Sequence, residues 1–415
     1  MNPIRLQLER PRLDGATIEA AASLTHPDGR SLRLWWRLPA QWEHALTNWA
    51  DPFVVGMLFP MMQWQGPVLV EGKVSPSLLA NLETCMQVWK TWFPERYRPV
   101  SIRASEEVEP PPAAEPDATV VPFSGGVDSC FTLLRHRRGL VGRRTRDVAA
   151  GVLFDGFDIW PGEPHAAAKH AALLANARAL LADAGIPCIP MSSNFHDLPT
   201  VWADSHGCHL VSGLALLAGQ FGGALLPNTI PYYQLGIPWG THPLTDPLLG
   251  SRSFRVLDDG ADSNRFNKVR LVADWPEALR RLHVCYCNHH GPGNCCRCEK
   301  CIRTILAFRA LGLPRPDSFA ADVSDRQIRR THFSHPDNTR YWLEVADAAI
   351  EAGLGRASWV RALHAAVAHD RRRRFFAHFK RPFVPVRNLF RVLFRGSSLS
   401  RRQRRKSTRS AARHR

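Results

Sequence analysis

The chain has 415 residues, of which 45% are hydrophobic and 9% aromatic, so it is long enough to bury a substantial core in two domains. Residues 1–20 lack the apolar segment of a secretory signal and no stretch reaches the roughly 20 apolar residues of a membrane-spanning helix, so we expect a cytoplasmic protein. The net charge is +17, but residues 370–415 hold seventeen Lys and Arg against one acidic residue, which leaves the rest of the chain nearly neutral.

Residues 1–105 are predicted to form a small α+β domain of unknown role. Alternating polar and apolar residues predict strands over 31–38 and 67–72, and a helix over 76–92 is expected to begin after Ser75 as its N-cap. Residues 106–118 are acidic and rich in proline. They predict an exposed linker and a domain boundary.

Residues 119–312 alternate between strand and helix patterns. Such strand–helix–strand units predict an α/β domain with a parallel, Rossmann-like sheet and helices on both faces. Ligands bind such sheets at the carboxyl ends of the strands. Strands are predicted over 119–123, 148–154, 187–191 and 223–227, and helices over 129–138, 166–184 and 208–218.

The last part of the chain is predicted to be helical and then basic. Residues 313–369 form a helical region, with helices over 339–352 and 358–369. The basic tail, residues 370–415, has the composition of a disordered segment. It can bind nucleic-acid phosphates or an anionic membrane surface, or serve only as a solubilising extension.

A glycine-containing segment, Phe-Ser-Gly-Gly-Val-Asp-Ser at 123–129, joins the first strand of this domain to a helix. Its glycines let the backbone turn and approach a ligand, while the helix start offers free N–H groups to phosphate oxygens. Ser124 and Ser129 add hydroxyl donors, and Asp128 is placed to hold Mg²⁺. The alternative is a helix cap without a ligand. The patterns GxxxxGK[ST] and GxGxxG at a helix start are absent from the sequence.

A cysteine cluster between residues 285 and 301 contains six of the ten cysteines. A C-x2-C turn brings two sulfurs to one zinc ion at about 2.3 Å, so we predict a structural Zn²⁺ site. An iron–sulfur cluster is the alternative, since it uses the same ligands. Three predicted ligands are Cys295, Cys298 and Cys301. The fourth is Cys285, which we prefer, or else Cys287, and His289 and His290 are substitute ligands.

A polar, proline-rich loop at 240–247 holds further candidates. Thr241, His242 and Asp246 lie close together in sequence, and such a loop can bind a carboxylate substrate or act as a lid. An ordinary turn is the alternative.

The segment 123–129 resembles the signature loop of the PP-loop ATP pyrophosphatases, the superfamily that includes GMP synthetase, NAD synthetase, asparagine synthetase, the tRNA thiolases and 7-cyano-7-deazaguanine synthase. The cysteine cluster is similar to the C-terminal zinc site of 7-cyano-7-deazaguanine synthase. Residues 119–312 therefore resemble a divergent member of that branch. The resemblance implies the HUP, adenine nucleotide alpha hydrolase-like, version of the Rossmann-like fold.

The same resemblance implies roles for individual residues. The loop would hold the pyrophosphate of ATP and Mg²⁺, with Asp128 and Ser129 as catalytic residues. Adenine or ribose contacts are expected beside the second strand, at Phe154, Asp155 and Asp158, although an Asp-Gly turn is an equal alternative there. Cys188 and Cys208 are candidate sulfur-carrying thiols. The residues implied to bind the nucleotide are Ser124, Gly125, Gly126, Val127, Asp128, Ser129, Phe154 and Asp155.

The implied reaction is α–β cleavage of ATP by an AMP-forming ligase or amidating enzyme. A carboxylate or carbonyl oxygen on a small molecule or a protein attacks the α-phosphate, and a nucleophile then displaces AMP. No cysteine follows Met1, so free ammonia, an amine or a partner protein supplies any nitrogen. The alternatives are a tRNA-modifying PP-loop enzyme and a non-catalytic nucleotide-binding interaction protein. A homo-oligomer is a further expectation.

Overall fold

The computed structural model describes residues 2–157, 159, 162–287, 291–335 and 337–379, with side chains described up to residue 376. Within these residues eleven strands form one sheet. The strands are β1 (Ile4–Leu8), β2 (Arg12–Asp14), β3 (Thr17–Thr25), β4 (Ser31–Pro39), β5 (Val68–Val74), β6 (Ile102–Glu107), β7 (Glu115–Pro122), β8 (Asp147–Phe154), β9 (Cys188–Ser193), β10 (Phe221–Pro227) and β11 (Arg255–Asp259).

Helices follow or separate most of these strands. They are α1 (Asp51–Gly56), α2 (Leu58–Trp64), α3 (Pro76–Trp92), α4 (Val127–Arg137), α5 (Ala166–Asp183), α6 (Trp202–Ala215), α7 (Arg265–Val272), α8 (Pro276–Arg281), α9 (Glu299–Ala310), α10 (Asp325–Arg329), α11 (Asn338–Glu351) and α12 (Ser358–Phe379). None of the helices in the described part of the chain is long and apolar enough to span a bilayer.

The second half of the sheet is parallel and doubly wound. Its spatial order is β11-β10-β7-β8-β9, and each neighbouring pair is parallel. The chain starts in the centre at β7, moves to one side through β8 and β9, and then to the other through β10 and β11. This is the order of a Rossmann-like sheet, in which the crevice between the two directions is the usual ligand site. The predicted α/β class and parallel strands are confirmed for this half.

The whole sheet is mixed rather than parallel, because the N-terminal strands continue it. β4 pairs antiparallel with β9 through Trp36 and Ser193, and β3 pairs antiparallel with β4. β6 and β7 both extend into residues 106–118, the predicted linker. Residues 1–105 and the Rossmann-like half thus share one sheet across the predicted boundary.

Helices cover both faces of the parallel strands, as predicted. Alternate side chains of a strand point to opposite faces, and Val120 and Val121 of β7 accordingly belong to two different hydrophobic cores. The first core contains α1, α3 and α6 with the N-terminal strands. The second contains α4, α5, α7 and the C-terminal helices.

Two helices, α6 and α12, differ from their predicted bounds by three residues or more. α6 begins at Trp202 rather than at Cys208, and its Gly207 packs on backbone: a Cβ there would lie 1.9 Å from the carbonyl oxygen of Gly240. α12 extends beyond residue 369 into the predicted tail, because the buried Asp370 accepts hydrogen bonds from Arg374 and Arg373. Residues 380–415, the rest of that tail, lie outside the described residues.

The start of α3 confirms Ser75 as the N-cap residue, although its side chain does not cap the helix. Its hydroxyl donates a hydrogen bond to Asp51 instead, and its backbone N–H donates to the same carboxylate at 2.9 Å. Ser75 therefore ties α3 to the start of α1.

Candidate functional site

A cavity of about 1060 Å³ opens at the carboxyl ends of β7, β8 and β10. It lies at the point where the strand order reverses, which is the expected ligand position in a doubly wound sheet. Helices α6, α9 and α11 contribute further walls. The cavity exceeds the upper end, about 1000 Å³, of typical small-molecule pockets.

The glycine loop, residues 123–126, forms one wall of this cavity together with the start of α4, although Gly125 itself is not in the lining. Gly125 has a φ of +70°, a conformation that favours glycine. The N–H of Gly126 donates to Ser124 Oγ at 3.4 Å, and Ser129 Oγ donates to the carbonyl of Gly126 at 3.2 Å. No described side chain caps α4, so its first N–H groups stay available to an anion.

Asp128 lies in the first turn of α4, lines the cavity and is bound by two cations. Its carboxylate lies 2.7 Å from Arg265 Nη1 and 3.1 Å from Lys268 Nζ, both on α7. Burial alone would raise the pKa of Asp128, but the charges of Arg265 and Lys268 outweigh it and lower that pKa. Asp128 is therefore an ionised partner of the partly buried Arg265 and the buried Lys268, and sequence reasoning missed both of them.

The residues around Asp128 do not form a metal site by themselves. In the described part of the chain, the cysteine cluster is the only group of three or more His, Cys, Asp or Glu ligands that could hold an ion. Mg²⁺ usually needs one or two carboxylates plus substrate phosphates. Its predicted ligand, Asp128, has both carboxylate oxygens engaged by Arg265 and Lys268.

Cys285, Cys295, Cys298 and Cys301 meet at one point, and all their sulfurs lie within 4.8 Å of one another. Sulfurs bound to one zinc ion at about 2.3 Å in a regular tetrahedron are about 3.8 Å apart. The Cys285–Cys298 and Cys295–Cys301 sulfur pairs are both 3.9 Å apart. The donor set therefore fits a single tetrahedral ion. A multi-iron cluster would hold its sulfurs farther apart, on separate irons.

The backbone around these sulfurs also suits thiolate ligands. Cys285 accepts a hydrogen bond from the N–H of Cys287 at 3.3 Å, and Cys295 accepts one from the N–H of Cys298 at 3.2 Å. Cys287 thus supports a ligand through its backbone, and its own sulfur is not one of the four that meet. The substitutes His289 and His290 lie outside the described residues.

The cysteine cluster is joined directly to the glycine loop. The N–H of His283 donates to the carbonyl of Gly125 at 3.0 Å, two residues before Cys285. At the other end of the cluster, Cys298 is the N-cap residue of α9, whose Glu299, Lys300 and Arg303 line the cavity. An ion at the cluster would therefore position two walls of the cavity.

The predicted base-side residues also line the cavity. Phe154 ends β8, and Asp155 follows it with a carboxylate oxygen 3.0 Å from His170 Nδ1. The predicted contact Asp158 lies outside the described residues. Beside them is an aromatic wall that sequence reasoning missed because its residues come from separate segments. It consists of Phe157, Trp202, His206 and Trp239, whose successive ring centroids are 5.1–5.2 Å apart.

The predicted substrate loop reaches the cavity through one residue, Thr241. His242 is fully buried and bonds within the loop, to the carbonyl of Leu235 and the N–H of Leu244, and burial lowers its pKa. Asp246 is also fully buried; burial and the neighbouring Asp258 carboxylate raise its pKa well above the ordinary value. These two residues hold the loop and do not line the cavity.

The two candidate sulfur-carrying thiols lie away from the cavity lining. Cys188 is in β9, and burial raises its pKa to about 11. Cys208 is buried in α6, and burial raises its pKa as well. High thiol pKa values keep both groups protonated and weakly nucleophilic.

We compared the chain with protein-family models, with curated proteins and with solved structures, and no match was found in any of the three.

Proposed function

We propose that this chain is an ATP-dependent, AMP-forming ligase or amidating enzyme of the PP-loop type, with a HUP-like fold and a core related to that of 7-cyano-7-deazaguanine synthase. One observation carries the proposal. The glycine loop ends the central strand β7 at the reversal point of the sheet and opens, with the uncapped start of α4, into a cavity of about 1060 Å³.

The leaving pyrophosphate would be held by the glycine loop and the start of α4. The N–H groups there favour phosphate oxygens, as do the hydroxyls of Ser124 and Ser129. Negative charge grows on the leaving group during α–β cleavage, so donors fixed in advance lower the barrier. Arg265 and Lys268 add positive charge behind the loop, with Asp128 orienting both.

Mg²⁺ would enter with the nucleotide, because Asp128 is engaged by Arg265 and Lys268 in this structure. When bound, the ion would neutralise phosphate charge. Asp128 could join its shell through an oxygen released by one cation.

The rest of the cavity has room for the adenosine and for an acceptor. Phe154, Asp155 and the aromatic wall are suited to a base and a ribose. Thr241 and Arg303 lie on other walls, where a carboxylate or carbonyl acceptor on a small molecule or a protein would bind.

We assign the cysteine cluster a structural zinc ion, held by Cys285, Cys295, Cys298 and Cys301. Four thiolates leave no open coordination position for substrate. The site needs reduced cysteines, which fits a reducing compartment such as the cytoplasm.

The test is AMP and pyrophosphate release from radiolabelled ATP with Mg²⁺ and a panel of carboxylates. Ser124→Ala removes one hydroxyl donor beside the pyrophosphate, so we expect roughly tenfold slower release. Ser105→Ala, on β6 and outside the cavity lining, is the control and should keep the wild-type rate. Absence of both ATP binding and AMP formation in the wild type would refute the proposed function.

A second candidate is a nucleotide-binding interaction protein without catalysis. The engagement of Asp128 by two cations favours it, since such a site can bind phosphates without a protein-bound Mg²⁺. ATP binding without AMP formation on any acceptor would support this candidate. A tRNA-modifying activity remains the other alternative, and AMP release that requires tRNA would identify it.

A further inference from the structure

Arg303 is a buried cation, and two of its three guanidinium nitrogens lack acceptors among the described residues. It lies on α9, is 6% exposed and lines the cavity. Its Nε and Nη1 atoms have no hydrogen-bond partner among the described residues. A buried donor without an acceptor costs free energy, so this arginine is arranged for a group that enters the cavity.

The guanidinium group is held in place from behind. Its Nε lies 3.2 Å from Glu299 Oε1, close enough for an ion pair, but the angle makes no hydrogen bond. Glu299 is itself fixed by the indole N–H of Trp342 at 2.8 Å. The ring of Tyr341 packs against the guanidinium, with its centroid 4.7 Å from Arg303 Cζ.

The position of Arg303 separates it from the cations at the loop. Arg265 and Lys268 of α7 bind Asp128, whereas Arg303 lies on α9 and pairs with Glu299. The guanidinium groups of Arg265 and Arg303 lie 5.9 Å and 4.7 Å from the ring centroid of Tyr341. Arg303 is thus a second cation on the cavity wall, offset by Glu299 in charge but with two unused donor atoms. Planar guanidinium groups recognise planar or tetrahedral oxyanions by paired hydrogen bonds.

We propose that Arg303 is the recognition residue of a second anion subsite in this cavity, which binds an oxyanion of the ligand. The oxyanion is either the terminal phosphates of the nucleotide or the carboxylate of the acceptor. This inference rests on the proposed function only for the identity of these two sources.

The test compares wild type, Arg303→Gln and Arg303→Lys in calorimetric titrations with ATP, AMP, pyrophosphate and benzoate, the last being a planar carboxylate probe. Arg309→Gln, on the same helix but outside the cavity lining, is the matched control. Arg303→Lys keeps a cation beside Glu299 and should therefore fold even if Arg303→Gln does not. In that case Arg303→Lys carries the test. Thermal melts check folding.

We expect Arg303→Gln to weaken the binding of at least one anion roughly tenfold or more. Arg303→Lys should weaken the binding of that anion less, and Arg309→Gln should leave it unchanged. If ATP and pyrophosphate bind more weakly while AMP binding is unchanged, the oxyanion is the terminal phosphates of the nucleotide. If benzoate binds more weakly while nucleotide binding is unchanged, the oxyanion is the carboxylate of the acceptor.

If every probe binds both variants within twofold of wild type, or if wild type binds none of them, the subsite does not exist. If wild type binds benzoate in an Arg303-dependent way but no nucleotide, the proposed function fails while the subsite stands. If nucleotides bind and turn over, and neither their binding nor that of benzoate depends on Arg303, the proposed function stands and the subsite fails.

Discussion

Asp128 illustrates how a residue's surroundings set its role. The sequence pattern makes it a candidate Mg²⁺ ligand, and the tertiary structure places it between Arg265 and Lys268. Its carboxylate offsets the burial of two cations whose sequence positions are more than a hundred residues away. Asp128 is thus important for stability as well as for the candidate site.

We expect Asp128→Ala to lower the free energy of unfolding by about 3 kcal/mol or more, because removing this carboxylate leaves the charge of the buried Lys268 uncompensated. Urea unfolding measures this. Asp274→Ala is the control: that carboxylate is exposed and pairs with Arg138 at 3.5 Å, so the loss should stay below about 1 kcal/mol. Equal losses in the two variants would contradict the buried role of Asp128.

At the scale of elements, the cysteine cluster connects three pieces of chain. The segment before it contacts the glycine loop through His283 and Gly125, and the helix after it, α9, brings Glu299 and Arg303 to the cavity. A structural ion at this point would order the cavity without contacting a substrate.

The zinc prediction separates two neighbouring cysteines. Cys285→Ser should lose the zinc ion, measured by elemental analysis, and bind ATP roughly tenfold more weakly because the contact of His283 with the loop loosens. Cys287→Ser should retain one zinc per chain and wild-type ATP affinity, since Cys287 acts through its backbone N–H. Loss of zinc in Cys287→Ser alone would overturn the ligand assignment.

For the whole molecule, the shared sheet couples residues 1–105 to the candidate site. The indole of Trp36 in β4 is fully buried, and its N–H donates to Ser212 Oγ of α6 at 3.1 Å. Its ring packs edge-on against that of Phe154, with the ring centroids 5.5 Å apart. Phe93 and Arg96 of the N-terminal part line the cavity itself. The predicted N-terminal domain therefore contributes to the walls of the site.

Trp36→Ala should cost about 3–5 kcal/mol of unfolding free energy. It should lower hydrogen-exchange protection in residues 1–105 and 119–312 together, since both parts share one core. Trp35→Ala, its partly exposed neighbour on β4, is the control and should cost about 1 kcal/mol. Loss of protection confined to residues 1–105 would show that the two parts unfold separately.

The sequence by itself determined several local elements of the Rossmann-like half and of the C-terminal helices, and several site residues. β8, α5 and α11 begin and end within one residue of their predicted bounds, because periodic apolar patterns and helix-stop signals act over short distances. The glycine loop and the cysteine cluster were also found from sequence, since their residues are close together along the chain.

Only the tertiary structure decided which distant residues meet. Segments far apart in sequence meet where β4 pairs with β9 and where Arg265 and Lys268 contact Asp128. The same is true of the cavity wall, to which α9 brings Arg303. It also placed Thr241 at the cavity while burying His242 beside it. The physical reason is that strand pairing and burial depend on the packing of the whole chain, on which local composition and spacing carry little information.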